Sequence, residues 1–179
     1  MWSDFHTHNL NAVPGTAIVN LPQAALENPQ SFSLVEGGIY SVGIHPWWTV
    51  GDLDVMWRGL EFWIRDPQVV ALGECGLDKL KGADLLLQEA CFLRQVSLSE
   101  NLHKPLTIHC VKAYDRLLEL HKAQSPKMVW TIHGFRGKPA LARQLLDCGF
   151  NLSFGKYFNA DSWALTPSDR RYRETDDDW

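Results

Sequence analysis

The sequence predicts an α/β fold, a trimmed TIM-type (β/α) barrel in which some outer helices are short or missing. Short apolar runs alternate with longer helical patterns from end to end, and metal-competent polar residues recur just past several of these runs. The chain has 179 residues, whereas a full eightfold barrel typically takes about 250. We therefore expect shortened connections between strands.

Eight short segments are the candidate strands. Seven are apolar enough to be buried in a parallel sheet, whose strands read as near-continuous hydrophobic runs. The eighth is highly charged, and we expect it to lie exposed because no helical pattern follows to cover it. The predicted strands span residues 1–5, 16–20, 39–44, 69–73, 106–108, 128–132, 151–154 and 170–173.

The segments between the strands are uneven. Long amphipathic helices are predicted over residues 52–65, 84–103 and 112–123, and a fourth over 139–148 ends at Gly149. Residues 20–33 and 159–169 contain prolines and predict at most short helical turns, and a last outer helix is expected to be missing. No linker or low-complexity tract interrupts the pattern, so we expect one domain over residues 1–179.

Composition narrows the class of protein. Hydrophobic residues make up 45% and charged residues 21%, as in ordinary globular proteins. No apolar run reaches the roughly 18 residues of a membrane span, and no signal peptide pattern opens the chain, so we expect a cytoplasmic protein without membrane association. The net charge of −4 argues against tight, non-specific binding to long nucleic acids.

The cysteines and tryptophans indicate the class of protein less strongly than the composition does. The four cysteines include no CxxC pair, and we expect reduced, mostly buried thiols. Among eight tryptophans, Trp47 and Trp48 stand beside a candidate site residue. Packing in the core or at the rim is favoured over stacking against a substrate, because large aromatic side chains mainly bury apolar area.

The first candidate ligands lie near the start of the chain. His6 and His8 are two residues apart on a predicted strand, so their side chains share one face, and Asp4 is expected on the same face. Such a pair aims two imidazoles at one point. An HxH pair alone is weak evidence for a metal, because histidines also fill ordinary hydrogen-bonding roles.

Three further predicted strands end in possible ligands. Glu74 follows the buried run 69–73, where a lone carboxylate would carry a large desolvation penalty unless a cation faced it. His109 and His133 follow the fifth and sixth predicted strands. Each could be a hydrogen-bonded core histidine, but four strands ending in ligand types favour a metal site at the barrel mouth.

At these positions the chain resembles the TatD family of metal-dependent hydrolases, which are amidohydrolase-like barrels. The matching stretches follow the family's order and span nearly the whole chain. They are Asp4-Phe5-His6-Thr7-His8, Gly43-Ile44-His45-Pro46, Gly73-Glu74-Cys75-Gly76-Leu77-Asp78, Ile108-His109, His133-Gly134-Phe135 and Glu174-Thr175-Asp176.

The resemblance implies two divalent metal ions, with Zn, Mn and Mg as candidates. One ion would be bound by His6, His8 and Asp176, and the other by His109 and His133, with Glu74 bridging the two. Nitrogen-rich ligand sets suit zinc or manganese better than magnesium, which prefers oxygen.

The implied activity is that of a hydrolase acting on ester bonds, as in the TatD-type deoxyribonucleases. The ions would activate a water for attack on a phosphodiester bond. The predicted catalytic residues are Asp176, as proton acceptor and later donor, Glu74 and His45. His45 and Asp78 are expected to contact the substrate or to orient ligands, although Asp78 could equally stabilise a turn.

Departures from the family pattern leave alternatives open. Val111, followed by Lys112, stands where the family usually has an arginine, and Lys79 replaces a frequent tyrosine, which weakens the case for DNA. Lys112 and Arg136 still favour an anionic substrate, including DNA ends. The alternatives are a two-metal hydrolase of a small-molecule ester or amide, and a metal-binding but inactive homologue.

Overall fold

A computed structural model describes residues 3–177 of the chain. Its centre is a sheet of eight parallel strands, each hydrogen-bonded to the next along the chain, which forms a nearly closed barrel. The strands are β1 (Asp4–Thr7), β2 (Ala17–Asn20), β3 (Ile39–Val42), β4 (Val69–Asp78), β5 (Leu106–Val111), β6 (Trp130–Ile132), β7 (Asn151–Phe154) and β8 (Arg171–Arg173). Met1 and Trp2 of the predicted first strand, and the last two residues, lie outside the described residues.

The eight predicted strands are all found, but two are longer than the sequence indicated. β4 continues to Asp78 and β5 to Val111 because residues 75–78 pair with residues 108–111. Glu74 and His109 consequently lie inside strands, and the prediction that they follow strand ends is wrong. Polar residues in both segments concealed this pairing from a reading based on apolar runs.

The helices vary in length as predicted. The four long ones are α2 (Leu53–Trp63), α3 (Leu85–Leu102), α4 (Tyr114–Gln124) and α5 (Pro139–Asp147), and the two proline-containing connections hold only the short α1 (Gln23–Glu27) and α6 (Ala160–Leu165). Short 3₁₀ turns occupy Pro29–Ser31 and Pro46–Val50. The trimmed connections therefore lie on the β2 and β7 sides of the barrel.

Large apolar side chains fill the space between the strands and the outer helices. Phe92 of α3 meets Trp130 of β6 edge to face, with ring centroids 5.1 Å apart, and Trp130 also contacts Phe150. All three are almost fully buried. Burying an aromatic or aliphatic side chain of this kind contributes about 1.5–3 kcal/mol to folding, so this layer anchors α3 to the barrel.

The charged strand β8 is only partly exposed, which corrects one expectation. The guanidinium groups of Arg171 and Arg173 lie 4.3 and 3.8 Å from the ring centroid of Trp163 in α6. Between them, Tyr172 stacks on Phe5 of β1 at 4.6 Å. The preceding helix thus covers the arginines by cation–π contacts, and Tyr172 helps to join β8 to β1.

Two compositional expectations can be compared with the structure. Cys75, Cys91 and Cys110 are buried free thiols and Cys148 is an exposed one, which confirms the prediction. Burial raises the pKa of Cys91 to about 11 and that of Cys110 to about 12, so these thiols stay protonated. Within residues 3–177, no helix is both long and apolar enough to cross a bilayer.

Candidate metal centre

The structure brings together all six predicted metal ligands at the mouth formed by the carboxyl ends of the strands. They come from five parts of the barrel: β1 and the residue after it, β4, β5, the residue after β6, and the segment after β8. They are His6, His8, Glu74, His109, His133 and Asp176.

Glu74 lies at the centre of this cluster. Its Oε1 is 3.0 Å from Nε2 of His6 and 2.9 Å from Nε2 of His8. Its Oε2 is 2.8 Å from Nε2 of His133 and 3.5 Å from Nδ1 of His109. Oε1 thus faces His6 and His8, and Oε2 faces His109 and His133.

Asp176 completes the first of these groups. Its Oδ1 is 3.7 Å from Nε2 of both His6 and His8, and its side chain is 27% exposed. The residue has a left-handed backbone conformation, with φ of 47°, which costs a non-glycine residue about 1–2 kcal/mol. The N–H of Asp176 donates to the carbonyl oxygen of His6 at 3.1 Å and so fixes the carboxylate above β1.

The charges in the cluster keep Glu74 ionised although it is buried. Burial alone would raise the pKa of Glu74, but His133 and His6 outweigh it and hold the pKa well below its usual range. For His133, burial favours the neutral ring, yet the carboxylates of Glu74 and Glu174 raise its pKa well above the ordinary value. The buried carboxylates and the His133 ring therefore stabilise each other's charged forms.

The donor atoms fit a divalent cation. Nε2 of His6 and Nε2 of His8 are 3.3 Å apart, close to the separation of about 3.3 Å that two zinc–nitrogen bonds of about 2.0–2.1 Å span at a tetrahedral angle. Nδ1 of His6 and Nδ1 of His133 are buried with no hydrogen-bond partner among residues 3–177. The Nε2 atoms of the same two rings point at Glu74, at 3.0 and 2.8 Å, and are the donor atoms that an ion at the centre would take.

Glu74 reaches the centre of the cluster because the backbones of β4, β5 and the segment after β3 approach one another closely. A Cβ at Gly73, where φ is 147°, would collide with the carbonyl oxygen of Thr107, and one at Gly43 would lie 2.7 Å from the carbonyl oxygen of Glu74. The N–H of Glu74 donates to Oδ1 of buried Asn20 at 2.9 Å. Sequence reasoning missed Asn20, which reads as an ordinary strand end.

His45 caps the 3₁₀ turn that follows β3. Its Nδ1 accepts from the N–H of Trp47 at 3.1 Å, and its Nε2 lies 3.3 Å from Oε2 of Glu74. Burial lowers the pKa of His45 to about 4, although Glu74 opposes the shift. A neutral ring whose Nδ1 accepts a hydrogen bond carries its proton on Nε2, from which it donates to Glu74.

Asp78 combines the two roles that the sequence left open. Its Oδ1 accepts from the N–H groups of Leu80 and Lys81 and stabilises the turn after β4. Its Oδ2 accepts from the indole N–H of Trp47 at 2.6 Å and lies 3.1 Å from Nε2 of His109. Asp78 therefore orients His109 so that the other ring nitrogen faces Glu74.

Two buried glutamines of α3 hold the loops that carry these residues. Gln95 accepts from the N–H of Ile44 at 2.8 Å and donates to its carbonyl oxygen at 3.1 Å. Gln88 does the same for Asp78, at 2.8 and 3.0 Å. Sequence reasoning missed both, although their spacing of seven residues on a buried helix face is a detectable signal.

Glu174 is a fourth residue that sequence reasoning did not assign to the site. It is buried, its Oε1 accepts a short hydrogen bond from the N–H of Gly134, and the same oxygen lies 3.6 Å from Nδ1 of His133. Burial would raise the pKa of Glu174, but His133 holds it below the usual value. Its place in the Glu174-Thr175-Asp176 match was the available signal.

Some predicted neighbours lie elsewhere. Asp4 does not join the donor atoms at Glu74, and its carboxylate accepts from the N–H of His6 at 3.3 Å and from Oγ1 of Thr175 at 2.7 Å. The register between β1 and β2 shifts after Asp4, so strict alternation along β1 fails there. Lys112 and Arg136 are exposed and do not line the cavity at the mouth.

The cavity at the mouth has a volume of about 390 Å³. One wall carries ionisable side chains of the cluster, and the other is largely apolar, formed by Pro22, Ala24, Trp47 and Trp48. None of the described residues that line it is a lysine or arginine. The lining residues are His8, Pro22, Gln23, Ala24, His45, Trp47, Trp48, Glu74, His109, His133, Asp176 and Asp177.

Comparisons with known proteins agree with this architecture. A family model described as TatD related DNase matches residues 12–177. A protein from Klebsiella pneumoniae named 3'-5' ssDNA/RNA exonuclease TatD is 33% identical over 133 residues, which are 73% of this chain and 50% of that protein. A protein of the same name from Erwinia tasmaniensis is 30% identical and covers 87% of this chain and 65% of its own length.

Two solved structures share the fold. The TatD homologue YJJV from Escherichia coli K12 superimposes with a TM-score of 0.74 at 24% identity, over 90% of this chain and 67% of that one. A TatD family hydrolase from Entamoeba histolytica gives 0.69 at 22% identity, over 89% and 60%. The chain spans half to about two thirds of the length of the two curated relatives described above.

Proposed function

The chain belongs to the TatD family of metal-dependent hydrolases, and we propose on this basis that it cleaves phosphodiester bonds at the ends of single-stranded nucleic acid. One observation carries the proposal: the buried Glu74 presents its two oxygens to different donors, Oε1 to His6 and His8, and Oε2 to His45, His109 and His133. That arrangement serves two cations at one carboxylate.

The proposed cofactors are two divalent ions. His6, His8 and Asp176 would hold one, His109 and His133 the other, and Glu74 would bridge them. Four of these six residues are histidines, which favours zinc or manganese over magnesium. When bound, such ions supply a water of lowered pKa and positive charge opposite the bond under attack.

The chain's own residues would orient the reactants and move the proton. The partly exposed carboxylate of Asp176 is placed to accept a proton at Oδ1 and later to return it to the leaving oxygen. The neutral His45 holds Oε2 of Glu74 through its Nε2–H. Asp78 and Glu174 would each fix the orientation of one histidine and are positioning residues.

The substrate class is proposed from the relatives. Those from Klebsiella pneumoniae and Erwinia tasmaniensis are named as exonucleases of single-stranded DNA and RNA. The net charge of −4 fits a substrate that is engaged at its end, because long duplexes are normally held by extended basic surfaces. A small phosphate or carboxylate ester is the second candidate, which the lack of a lysine or arginine in the described lining favours.

Two further expectations stay proposals. We propose that residues 1–179 form one domain, since each described strand pairs with the next in a single sheet. We also propose a cytoplasmic location, in keeping with the reduced cysteines. Limited proteolysis that yields two stable fragments would argue against the first, and recovery of the protein in a membrane or periplasmic fraction would argue against the second.

The decisive experiment assays the purified protein with Zn²⁺, Mn²⁺ and Mg²⁺ on several substrates. These are single-stranded and blunt duplex oligonucleotides and a panel of phosphate esters and acylated metabolites. The proposal expects release of mononucleotides from single strands and the loss of this activity in EDTA. Turnover of small esters alone would favour the second candidate. Bound metal without turnover on any substrate would indicate an inactive homologue.

A further inference from the structure

The apolar wall of the mouth cavity is not used by the metal chemistry. It is built from two neighbouring parts of the barrel: Pro22 and Ala24 at the start of α1, after β2, and Trp47 and Trp48 in the 3₁₀ turn after β3. The wall borders the same cavity as Glu74 and His133. A substrate that fills the cavity at the metal cluster would therefore also contact this wall.

The two tryptophans differ in the contacts that their rings make. Trp47 is 37% exposed, its indole N–H is bound to Asp78, and Nζ of Lys81 lies 3.5 Å from its ring centroid. Trp48 is half-buried and packs against the hydrophobic core, yet it also lines the cavity. Its ring is 5.6 Å from the ring of His45. Trp48 is thus an aromatic surface held by packing against the core, and the ring of His45 links it to Glu74.

The charged side chains that line the cavity indicate how a substrate would be held there. Its described lining includes Glu74, Asp176 and Asp177 but neither lysine nor arginine. An anionic substrate would therefore be held in the cavity by ions and by apolar contact, because neither a lysine nor an arginine is among its described lining residues. A volume of about 390 Å³ lies near the lower end of small-molecule sites, about 300–1,000 Å³, and suits one nucleoside unit better than a base pair.

We propose that this apolar wall is a subsite for the unpaired base of the terminal nucleotide, with Trp48 as the stacking platform. This inference rests on the proposed function and specifies how the substrate is recognised. Stacking is tolerant of sequence, since every base has an apolar face. It also explains why an end must be single-stranded: a paired terminal base could not leave its partner to lie on Trp48.

The test compares Trp48→Ala and Trp48→Phe with the wild type and with a control. Phe62→Ala is the control, because Phe62 is an exposed aromatic residue on α2 that does not line the cavity. The substrates are two single-stranded hexamers that differ only at the 3′ terminus, one with adenine there and the other with an abasic tetrahydrofuran unit. A third hexamer carries 2-aminopurine next to an uncleavable methylphosphonate linkage, which allows binding to be followed with and without Mn²⁺.

The wild type should prefer the adenine-ended hexamer by about 5- to 150-fold in KM, the factor that corresponds to stacking of one base. Trp48→Ala should abolish this preference by raising KM for the adenine-ended hexamer alone, with kcat changed less than about threefold. Trp48→Phe should retain part of it, and Phe62→Ala all of it. Quenching of 2-aminopurine fluorescence should be lost in Trp48→Ala and kept in Trp48→Phe, and circular dichroism checks that both variants fold.

The proposal is overturned if the wild type cleaves both hexamers equally well, or if Trp48→Ala keeps the preference and the quenching. A different result bears on the function itself. If no oligonucleotide is hydrolysed with any metal, the proposed activity fails, while 2-aminopurine binding still decides whether the subsite exists. The two failures are therefore distinguishable.

Discussion

The two sides of the mouth are built in different ways. On the β3–β5 side, the loops that carry His45 and Asp78 are clamped by Gln95 and Gln88, two fully buried residues of the 18-residue helix α3. On the β8–β1 side, Asp176 follows a strand of three residues and is held by contacts that are partly exposed to solvent.

The difference indicates which parts of the site depend on the fold and which depend on local contacts. Buried amide clamps position one side whether or not metal is bound. On the other side, the carboxylate of Glu174 lies 3.6 Å from Nδ1 of His133 and orients that ring. We expect loss of a clamp on the first side to lower stability, and loss of Glu174 on the second side to lower metal affinity with less effect on stability.

The largest effect is expected where both sides meet, at Glu74. Glu74→Gln removes the charge that both histidine groups face, so both ions should be lost and kcat should fall by at least about a thousandfold, or about 4 kcal/mol. Metal content by mass spectrometry and initial rates measure this. The control is Glu36→Gln at an exposed position. Two ions per chain in the Glu74 variant would argue against a bridging role.

The clamps on the β3–β5 side provide the second prediction. Gln95→Leu leaves the buried N–H and carbonyl groups of Ile44 without partners, at a cost of about 1–3 kcal/mol. The midpoint of thermal unfolding should fall by about 2–12 °C. Gln144→Leu, at an exposed position of α5, is the matched control. An unchanged Tm for Gln95→Leu would show that other contacts hold this loop.

The third prediction compares one positioning carboxylate from each side. Loss of such a partner typically costs 10–100-fold in metal affinity. Glu174→Gln should approach about 100-fold, because its carboxylate is the charged group nearest Nδ1 of His133. Asp78→Asn should stay near about 10-fold, because His109 is also held within β5 and Asn keeps an oxygen for the turn. Competition against a chromophoric zinc chelator measures both affinities, and the reverse order would contradict the comparison.

Sequence patterns predicted the barrel well where apolar runs are continuous. The predicted strand over residues 151–154 coincides with β7. The prediction stopped too early at β4, because Glu74 and Asp78 are polar and only their pairing with β5 reveals the strand. A run of apolar residues indicates a segment buried among apolar neighbours. It cannot indicate a strand whose side chains point into a polar site.

The candidate site was predictable to the extent that it depends on residue type and alternation. Spacing placed His6 and His8 on one face, but the assignment of ligands to two ions came from family resemblance. Asp4 was misplaced because a register shift interrupts β1. Gln95 and Glu174 act through contacts with residues 51 and 40 positions away in the chain, which no local pattern contains.

The smallest effect is expected at the junction of β8 and β1. Asp4 accepts hydrogen bonds from the N–H and Oγ1 of Thr175, at 3.0 and 2.7 Å. Because Thr175 is exposed, water can replace these bonds, and Asp4→Ala should cost only about 1 kcal/mol, or about 2–4 °C in Tm. Asp169→Ala, at an exposed loop position, is the control.

The zinc affinity of Asp4→Ala should stay within about threefold of the wild type, since Glu174 still holds His133. If Asp4→Ala instead weakened zinc as strongly as Glu174→Gln, the junction itself would position the ligands, and the contrast between a clamped side and a locally held side would no longer stand.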